Sequence, residues 1–389
     1  MKKTIRFIFI ILPAILWPWA VFLAAPLTDD AMIVRVCIAD DKPETFISLK
    51  SDYKIYATNS SRVLMEGPCL TAKVVATKDG LRVGARQLNI GGIRVKVGKN
   101  SKIYVGGKRF RGDIDILRKD NGRLMIINYI ALDDYLYGVL YHEVSHRWPM
   151  EVLKAQAIAA RTFALYQAKQ NRLQLYDLRS DIYSQVYGGS GSEKWSTTMA
   201  VNSTKGLVLV YKGELLPAYY HATCAGRTED ASNLWKVNIP PLDGVECGFC
   251  VESPHYSWTK NMPLWKLEEK LASAGYKMGK IETVAVLSRN ESGRVDKLSI
   301  KDNAGVSVVL TGKDFRQLLG PNELRSTNFD VSIKWGELIL TGRGWGHGVG
   351  MCQWGSYGMA KKGIKADEIL RRYYPGAEIV SVEKIQGKL

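Results

Sequence analysis

Two short pairs of residues carry the clearest metal-binding pattern in the chain: His221 and Cys224 in His-Ala-Thr-Cys, and Cys247 and Cys250 in Cys-Gly-Phe-Cys. Imidazole and thiolate ligands arranged in two pairs suit a closed tetrahedral zinc site. Such a site has no open position for water, so the pattern points to a structural metal and not to a hydrolytic one. His255 competes as the fourth ligand. A disulfide among the three cysteines, or a redox-active Cys-x-x-Cys, are the alternatives that spacing leaves open. Cys37 and Cys69 could pair in an oxidising compartment, and Cys352 is left over.

Glu143 lies in Tyr141-His-Glu-Val-Ser-His-Arg-Trp-Pro, ahead of a helix signalled by Pro149. An acidic residue before a helix complements the positive end of its dipole, which lowers the carboxyl pKa. A proton donor needs the opposite shift, so a catalytic role requires desolvation by neighbours such as Tyr141 and Trp148 to dominate. Farther along, glycines at 342, 344, 346, 348 and 350 alternate with other residues. The stretch lacks the Lys-Ser/Thr of a P-loop. It reads as backbone packed closely on another surface, with Arg343, Trp345, His347, Gln353 and Trp354 projecting from it. That suits tight packing and equally the wall of a carbohydrate groove.

The elements that must position these groups define an α+β chain. From Met32 to about Leu132, short β-branched or aromatic runs at 54–57, 72–76, 93–97, 103–105, 113–117 and 124–127 are cut by Gly, Asn and Asp and predict strands. At Pro149 strong helix formers take over through Tyr166, predicting a long central helix. Strands at 207–211, 215–220, 282–287, 297–301 and 307–310, helices at 264–274 and 313–319, and a last helical segment ending near Tyr374 complete the pattern. The domains read as a segment at 1–30, a β-rich region at 31–110 and a mixed domain at 111–380, with 260–335 as an α/β insertion.

Lys2, Lys3 and Arg6 precede an uncharged stretch from Phe7 to Thr28, long enough to cross a bilayer of about 30 Å. The basic flank places the N-terminus inside and the rest outside the cytoplasm. Phe22-Leu-Ala-Ala-Pro fits signal-peptidase cleavage poorly, so an uncleaved anchor in the cytoplasmic membrane is expected over a signal segment. The 389 residues carry 54 Lys plus Arg against 38 Asp plus Glu, a formal charge of +16. The basic residues are scattered and no nucleic-acid-binding signature accompanies them, so an anionic cell envelope explains the charge without nucleic acid.

Three stretches resemble the SpoIID/LytB family, the stage II sporulation protein D group of cell-wall proteins. They are Leu132-Asp-Asp-Tyr-Leu-Tyr-Gly-Val-Leu-Tyr-His-Glu-Val with the helix after Trp148-Pro149, Ser180-Asp-Ile-Tyr-Ser-Gln-Val-Tyr-Gly-Gly, and Gly342 to Ala360. The resemblance implies a lytic transglycosylase that cleaves the MurNAc–GlcNAc bond of peptidoglycan glycan strands, forming 1,6-anhydroMurNAc. Its catalytic glutamate falls on Glu143, although Glu143-Val-Ser departs from the family's usual Glu-Met-Pro. His347, Gln353, Trp354 and Arg343, with Tyr187 from the second stretch, are the expected sugar-binding residues. Other members are described as enhancers of a cell-wall amidase, so a non-catalytic wall-binding protein acting with an amidase or other wall hydrolases is the alternative. No cofactor is implied for catalysis. Some relatives hold a metal in the region matching Tyr176 to Tyr187, which has no Cys or His in this chain. A structural zinc would therefore belong to His221, Cys224, Cys247 and Cys250.

Overall fold

The computed structural model describes residues 32–98, 101–181, 184–235 and 237–388. The anchor or signal segment expected at 1–30 lies outside the described residues. Among the described residues no helix is long and apolar enough to cross a membrane.

Two twisted sheets form the first third. One has seven strands in the order Leu178–Arg179, Ile33–Lys42, Leu124–Ala131, Asp113–Arg118, Gly92–Val97, Tyr53–Ala57 and Val63–Gly67. The other has six, in the order Lys108–Phe110, Ile103–Val105, Glu44–Leu49, Leu70–Thr77, Gly80–Val83 and Arg86–Leu88. Alternation sets what each strand buries. In Glu44–Leu49, Thr45, Ile47 and Leu49 face inward while Phe46 is exposed. The six strands expected between 54 and 127 are all present, each within a few residues of its expected ends. The seven-stranded sheet continues past residue 110 to Ala131 and takes its edge strand from 178–179, so the boundary expected at 110 falls inside a sheet.

Seven helices follow among the described residues: α1 (Leu132–Glu143), α2 (Met150–Gln170), α3 (Trp195–Ser203), α4 (Leu264–Ser273), α5 (Gly312–Leu319), α6 (Gln353–Lys361) and α7 (Ala366–Tyr373). The expected helix after Pro149 is α2, with Pro149 at its N-cap. Its alanines at 155, 157, 159, 160 and 164 are fully buried, so partners close on it from several sides. Fully buried Arg161 fixes α1 against α2: its Nη2 and Nε donate to Asp133 Oδ1 at 2.9 and 3.0 Å, and further donors reach the carbonyls of Val201 and Leu207. The single segment expected to end near Tyr374 is two helices, α6 and α7, parted by a turn at Gly363.

Helix α1 had no counterpart in the sequence reading. Gly138 lowers its intrinsic propensity by about 1 kcal/mol relative to alanine, but a Cβ there would stand 2.6 Å from Tyr187 Cε2 and 2.9 Å from Gly189 O. The glycine is thus required for the 184–189 segment to pack on α1, and Gly188 N donates to Gly138 O (3.1 Å).

Residues 257–343 build a separate apolar core. The strand Ser257–Pro263 pairs with Glu337–Arg343, and three antiparallel strands (Ile281–Arg289, Val295–Asp302 and Ser307–Thr311) are packed by α4 and α5 around Leu267, Leu298, Ile300, Phe315 and Leu340. These limits lie a few residues outside the 260–335 expected for an α/β insertion. Buried Glu229 ties it to the rest of the chain by accepting from Asn290 Nδ2 (2.8 Å) and Ser292 Oγ (3.0 Å).

Replacing Gly138 with alanine, a change that normally favours a helix, is expected to destabilise the fold by about 1–3 kcal/mol through overpacking against Tyr187. Urea unfolding of the two proteins checks the sign; a more stable variant would contradict the packing account.

Candidate active site

Glu143 is the last residue of α1, and the next residue, Val144, is already extended. The sequence reading tied it to the start of the following helix. The structure puts it instead at a helix C-terminus, where unpaired carbonyls carry partial negative charge and disfavour a carboxylate. Removal from water is the larger influence. Burial pushes the carboxyl up to about 7, while donors from the Val186 backbone, the Tyr220 hydroxyl and the Gln353 amide pull in the other direction. The residue as a whole retains some exposure, but its carboxyl is enclosed.

Each of those donors is held by a second partner. Val186 belongs to the segment that packs on Gly138. The Tyr220 hydroxyl accepts from Gln185 Nε2 (2.8 Å), and Gln185 Oε1 accepts from the buried Tyr135 hydroxyl (3.1 Å). Gln353, the first residue of α6 and nearly buried, donates Nε2 to Gln156 Oε1 of α2 (3.3 Å). Both Tyr135 and Tyr220 have hydroxyls raised by burial and then by the Glu143 charge, so they stay protonated. The groups that meet the Glu143 carboxyl are Val186 N, Tyr220 and Gln353, with Tyr135 near enough to feel its charge, where the sequence suggested Tyr141 and Trp148 as its neighbours. Tyr141 is 38% exposed and lies under Lys194. Trp148 joins Trp354 at 5.0 Å and Tyr357 at 5.0 Å in a half-buried aromatic cluster beginning one residue after Gln353.

The expected sugar-binding residues separate into groups. Gln353 meets Glu143 directly, and Trp354 lies in the adjoining aromatic cluster. Tyr187 does not face a groove: it is 3% exposed, its hydroxyl donates to Asn128 Oδ1 (3.0 Å), and its ring packs on Tyr135 and Phe110. Its part is to support α1. His347 accepts from Val349 N on Nδ1 (3.1 Å) and sits among Tyr219, His221 and Trp235. Burial, reinforced by the Arg316 charge, lowers its pKa to about 3, so it is neutral at physiological pH. Arg343 is exposed at the end of a strand of the insertion. A surface hollow of about 620 Å³ between Tyr53, Tyr56, Glu66 and Lys96 contains none of the groups around Glu143.

The Gly-rich stretch packs as closely as its composition suggested. A Cβ at Gly346 would stand 2.7 Å from that of His221, and Gly350, at φ +70°, has the Tyr219 carbonyl where its Cβ would be. This turn delivers Cys352, not His221, to the cysteine cluster. The sulfurs of Cys224, Cys247, Cys250 and Cys352 all lie within 4.8 Å of one another, and all four residues are buried. His221 Nδ1 instead donates to Val349 O at 3.0 Å, and His255 packs its ring on Trp345 at 4.4 Å. The structure thus brings together four cysteines, where the expected set was three cysteines and His221.

The site is thus a mixed α+β framework that encloses one carboxyl among tyrosine, amide and backbone donors, at a helix end beside a half-buried aromatic cluster. A profile described as "Stage II sporulation protein" matches residues 120–211, which include Glu143 and all of its α1 supports, and a domain of unknown function (DUF8618) matches residues 246–350. An uncharacterized protein of Brachyspira hyodysenteriae is 34% identical over 91% of this chain and 94% of its own length. Stage II sporulation protein D of Bacillus subtilis is 31% identical over 67% of this chain and 78% of its own length. The amidase enhancer of Bacillus subtilis is 27% identical over 63% of this chain and 40% of its own length. The chain belongs to the SpoIID/LytB family.

A carboxyl whose folded pKa exceeds its unfolded value gives stability that is fully present below the unfolded value and lost as pH rises through the folded one. For Glu143 that window runs from 4.5 to about 7. Glu143→Gln should accordingly leave stability unchanged near pH 4 and raise it by up to about 3 kcal/mol at pH 8. Paired urea titrations at the two pH values check this, and an equal difference at both would contradict a buried, raised carboxyl.

Proposed function

We propose that this protein acts on the bacterial cell wall as a lytic transglycosylase, with Glu143 as its single general acid and base. The observation that carries the reading is a carboxyl pushed up to about 7 yet supplied with hydrogen-bond donors for its ionised form. A group so placed can be protonated before the reaction and stable as a carboxylate after it. Kinship with the sporulation protein D proteins and the amidase enhancer supports a cell-wall role.

One carboxyl suffices for this reaction. Hydrolytic glycosidases generally use two, one as acid and one to activate water or attack the sugar. Here the substrate supplies the nucleophile. Protonated Glu143 donates to the glycosidic oxygen as the bond to the anomeric carbon of N-acetylmuramic acid breaks. The sugar's own C6 hydroxyl then attacks that carbon, and its proton passes to the Glu143 carboxylate, regenerating the acid and closing the 1,6-anhydro ring. Val186 N, Tyr220 and Gln353 stabilise the carboxylate in between. The Trp148, Trp354 and Tyr357 faces beside Gln353 supply an apolar surface for a sugar ring. Placement outside the cytoplasm, held by the uncharged N-terminal stretch, would bring the site to its polymer, and the excess of basic residues suits an anionic wall.

A second reading is recognition of the wall to assist an amidase, which the kinship with the amidase enhancer favours. The two readings differ in products. Digestion of purified sacculi followed by mass spectrometry should give anhydro-muramyl ends with the wild-type protein and reduce them by at least about 100-fold with Glu143→Gln. Undiminished product from the variant would remove Glu143 from the chemistry. Loss of the acid should also make kcat fall as pH rises above about 7. For Trp354→Ala, affinity for glycan fragments measured by calorimetry should drop about tenfold with the melting temperature little changed. A large stability loss at full affinity would assign Trp354 to packing alone.

A further inference from the structure

The buried cysteine cluster takes no part in the chemistry above. Its geometry is specific. Cys224 and Cys250 have their sulfurs 3.6 Å apart, and all four sulfurs fit within 4.8 Å. A disulfide requires about 2.05 Å, whereas the edges of a tetrahedron with metal–sulfur bonds of about 2.3 Å are about 3.8 Å long. The cysteines are at most 1% exposed, so solvent does not account for their arrangement.

Donors surround the sulfurs as they do metal thiolates. Cys352 Sγ accepts from Cys224 N and Gly355 N, both at 3.3 Å, and the Tyr373 hydroxyl lies 3.1 Å from Cys247 Sγ. Left-handed backbone at Ala225, Gly226 and Gly248 turns the chain sharply after Cys224 and Cys247. Charge is matched as well. Zinc with four thiolates carries a net charge of about −2, and the fully buried guanidinium of Arg294 reaches the Cys224 carbonyl (3.1 Å) with the cluster in its field. Arg294 comes from the insertion, so that unit contributes a counter-charge.

We propose that Cys224, Cys247, Cys250 and Cys352 hold one zinc ion, and that this zinc closes the root of the insertion. Cys250 precedes the insertion and Cys352 follows it, so one ion joins the two ends of a segment of roughly a hundred residues. It also fixes the chain one residue before Gln353, the amide that meets Glu143. All four ligand positions are filled by protein, so the ion is structural and activates no water.

The test uses the full-length chain purified without chelator. Elemental analysis should give close to one zinc per chain. X-ray absorption should show four sulfur neighbours at about 2.3 Å, and cobalt exchanged into the site should give the visible bands of a tetrahedral thiolate complex. Cys352→Ser should lose zinc at chelator concentrations that leave the wild type loaded, whereas His221→Ala should keep it. If Cys352→Ser does not fold, the sulfur count in the wild type still decides the matter. A disulfide between any two of the four in non-reduced peptide maps, a nitrogen in the first shell, iron in place of zinc, or less than about a tenth of an equivalent of metal would overturn the proposal. Zinc content should be the same in Glu143→Gln, so failure of the glycan-cleaving reading and failure of the metal site are read separately.

Discussion

The exclusion of water from one carboxyl is the constraint around which the other parts of the molecule are arranged. A glutamate whose pKa sits near 7 must lose most of its hydration, yet a buried carboxylate with no partners would destabilise the fold severely. The chain meets both demands by placing Glu143 at a helix C-terminus and surrounding it with three donors from three different segments. Those segments come from residues near 186, 220 and 353, so no local piece of chain can assemble the site. The Gly138–Tyr187 contact, the Tyr135–Gln185–Tyr220 chain and the Gln353–Gln156 bond hold these segments in place, and the Arg161–Asp133 pair locks α2 to α1.

The parts legible in the sequence were those whose physics is local. Six of the ten strands between 53 and 131 announced themselves because β-branched runs and turn residues act over a few positions, while the short strands Val63–Gly67, Gly80–Val83, Arg86–Leu88 and Lys108–Phe110 did not. Helix α2 announced itself because its composition favours a helix whatever surrounds it. Glu143 was legible as a residue, through its motif, but its surroundings were not. Tyr135, Gln185 and Tyr220 are ordinary residues until the fold makes them neighbours, and the Val186 donor is a backbone group with no signature of its own. Helix α1 escaped notice because the glycine that its packing requires is the residue that weakens its propensity.

The cysteine cluster shows the same division. Ligand spacing is informative when both members of a pair share one turn, as Cys247 and Cys250 do. The fourth sulfur arrives from a position 102 residues after Cys250, on the far side of a folded unit, where no spacing rule reaches. His221 occupied the expected spacing, but its imidazole donates to Val349 in the Gly-rich turn. That turn is what carries Cys352 back to Cys224.

The pairing of Ser257 with Arg343 places the entry and exit of the insertion side by side on adjacent strands, about 5 Å apart. A unit joined to its host in this way, and possessing its own core, is removable in principle with a short reconnecting turn. In evolutionary terms it has the form of a cassette, one that could be elaborated, exchanged or discarded without breaking the chain path through α1, α2 and the enclosed carboxyl. The surface around the enclosed carboxyl can then diversify at a different pace from the carboxyl's own setting.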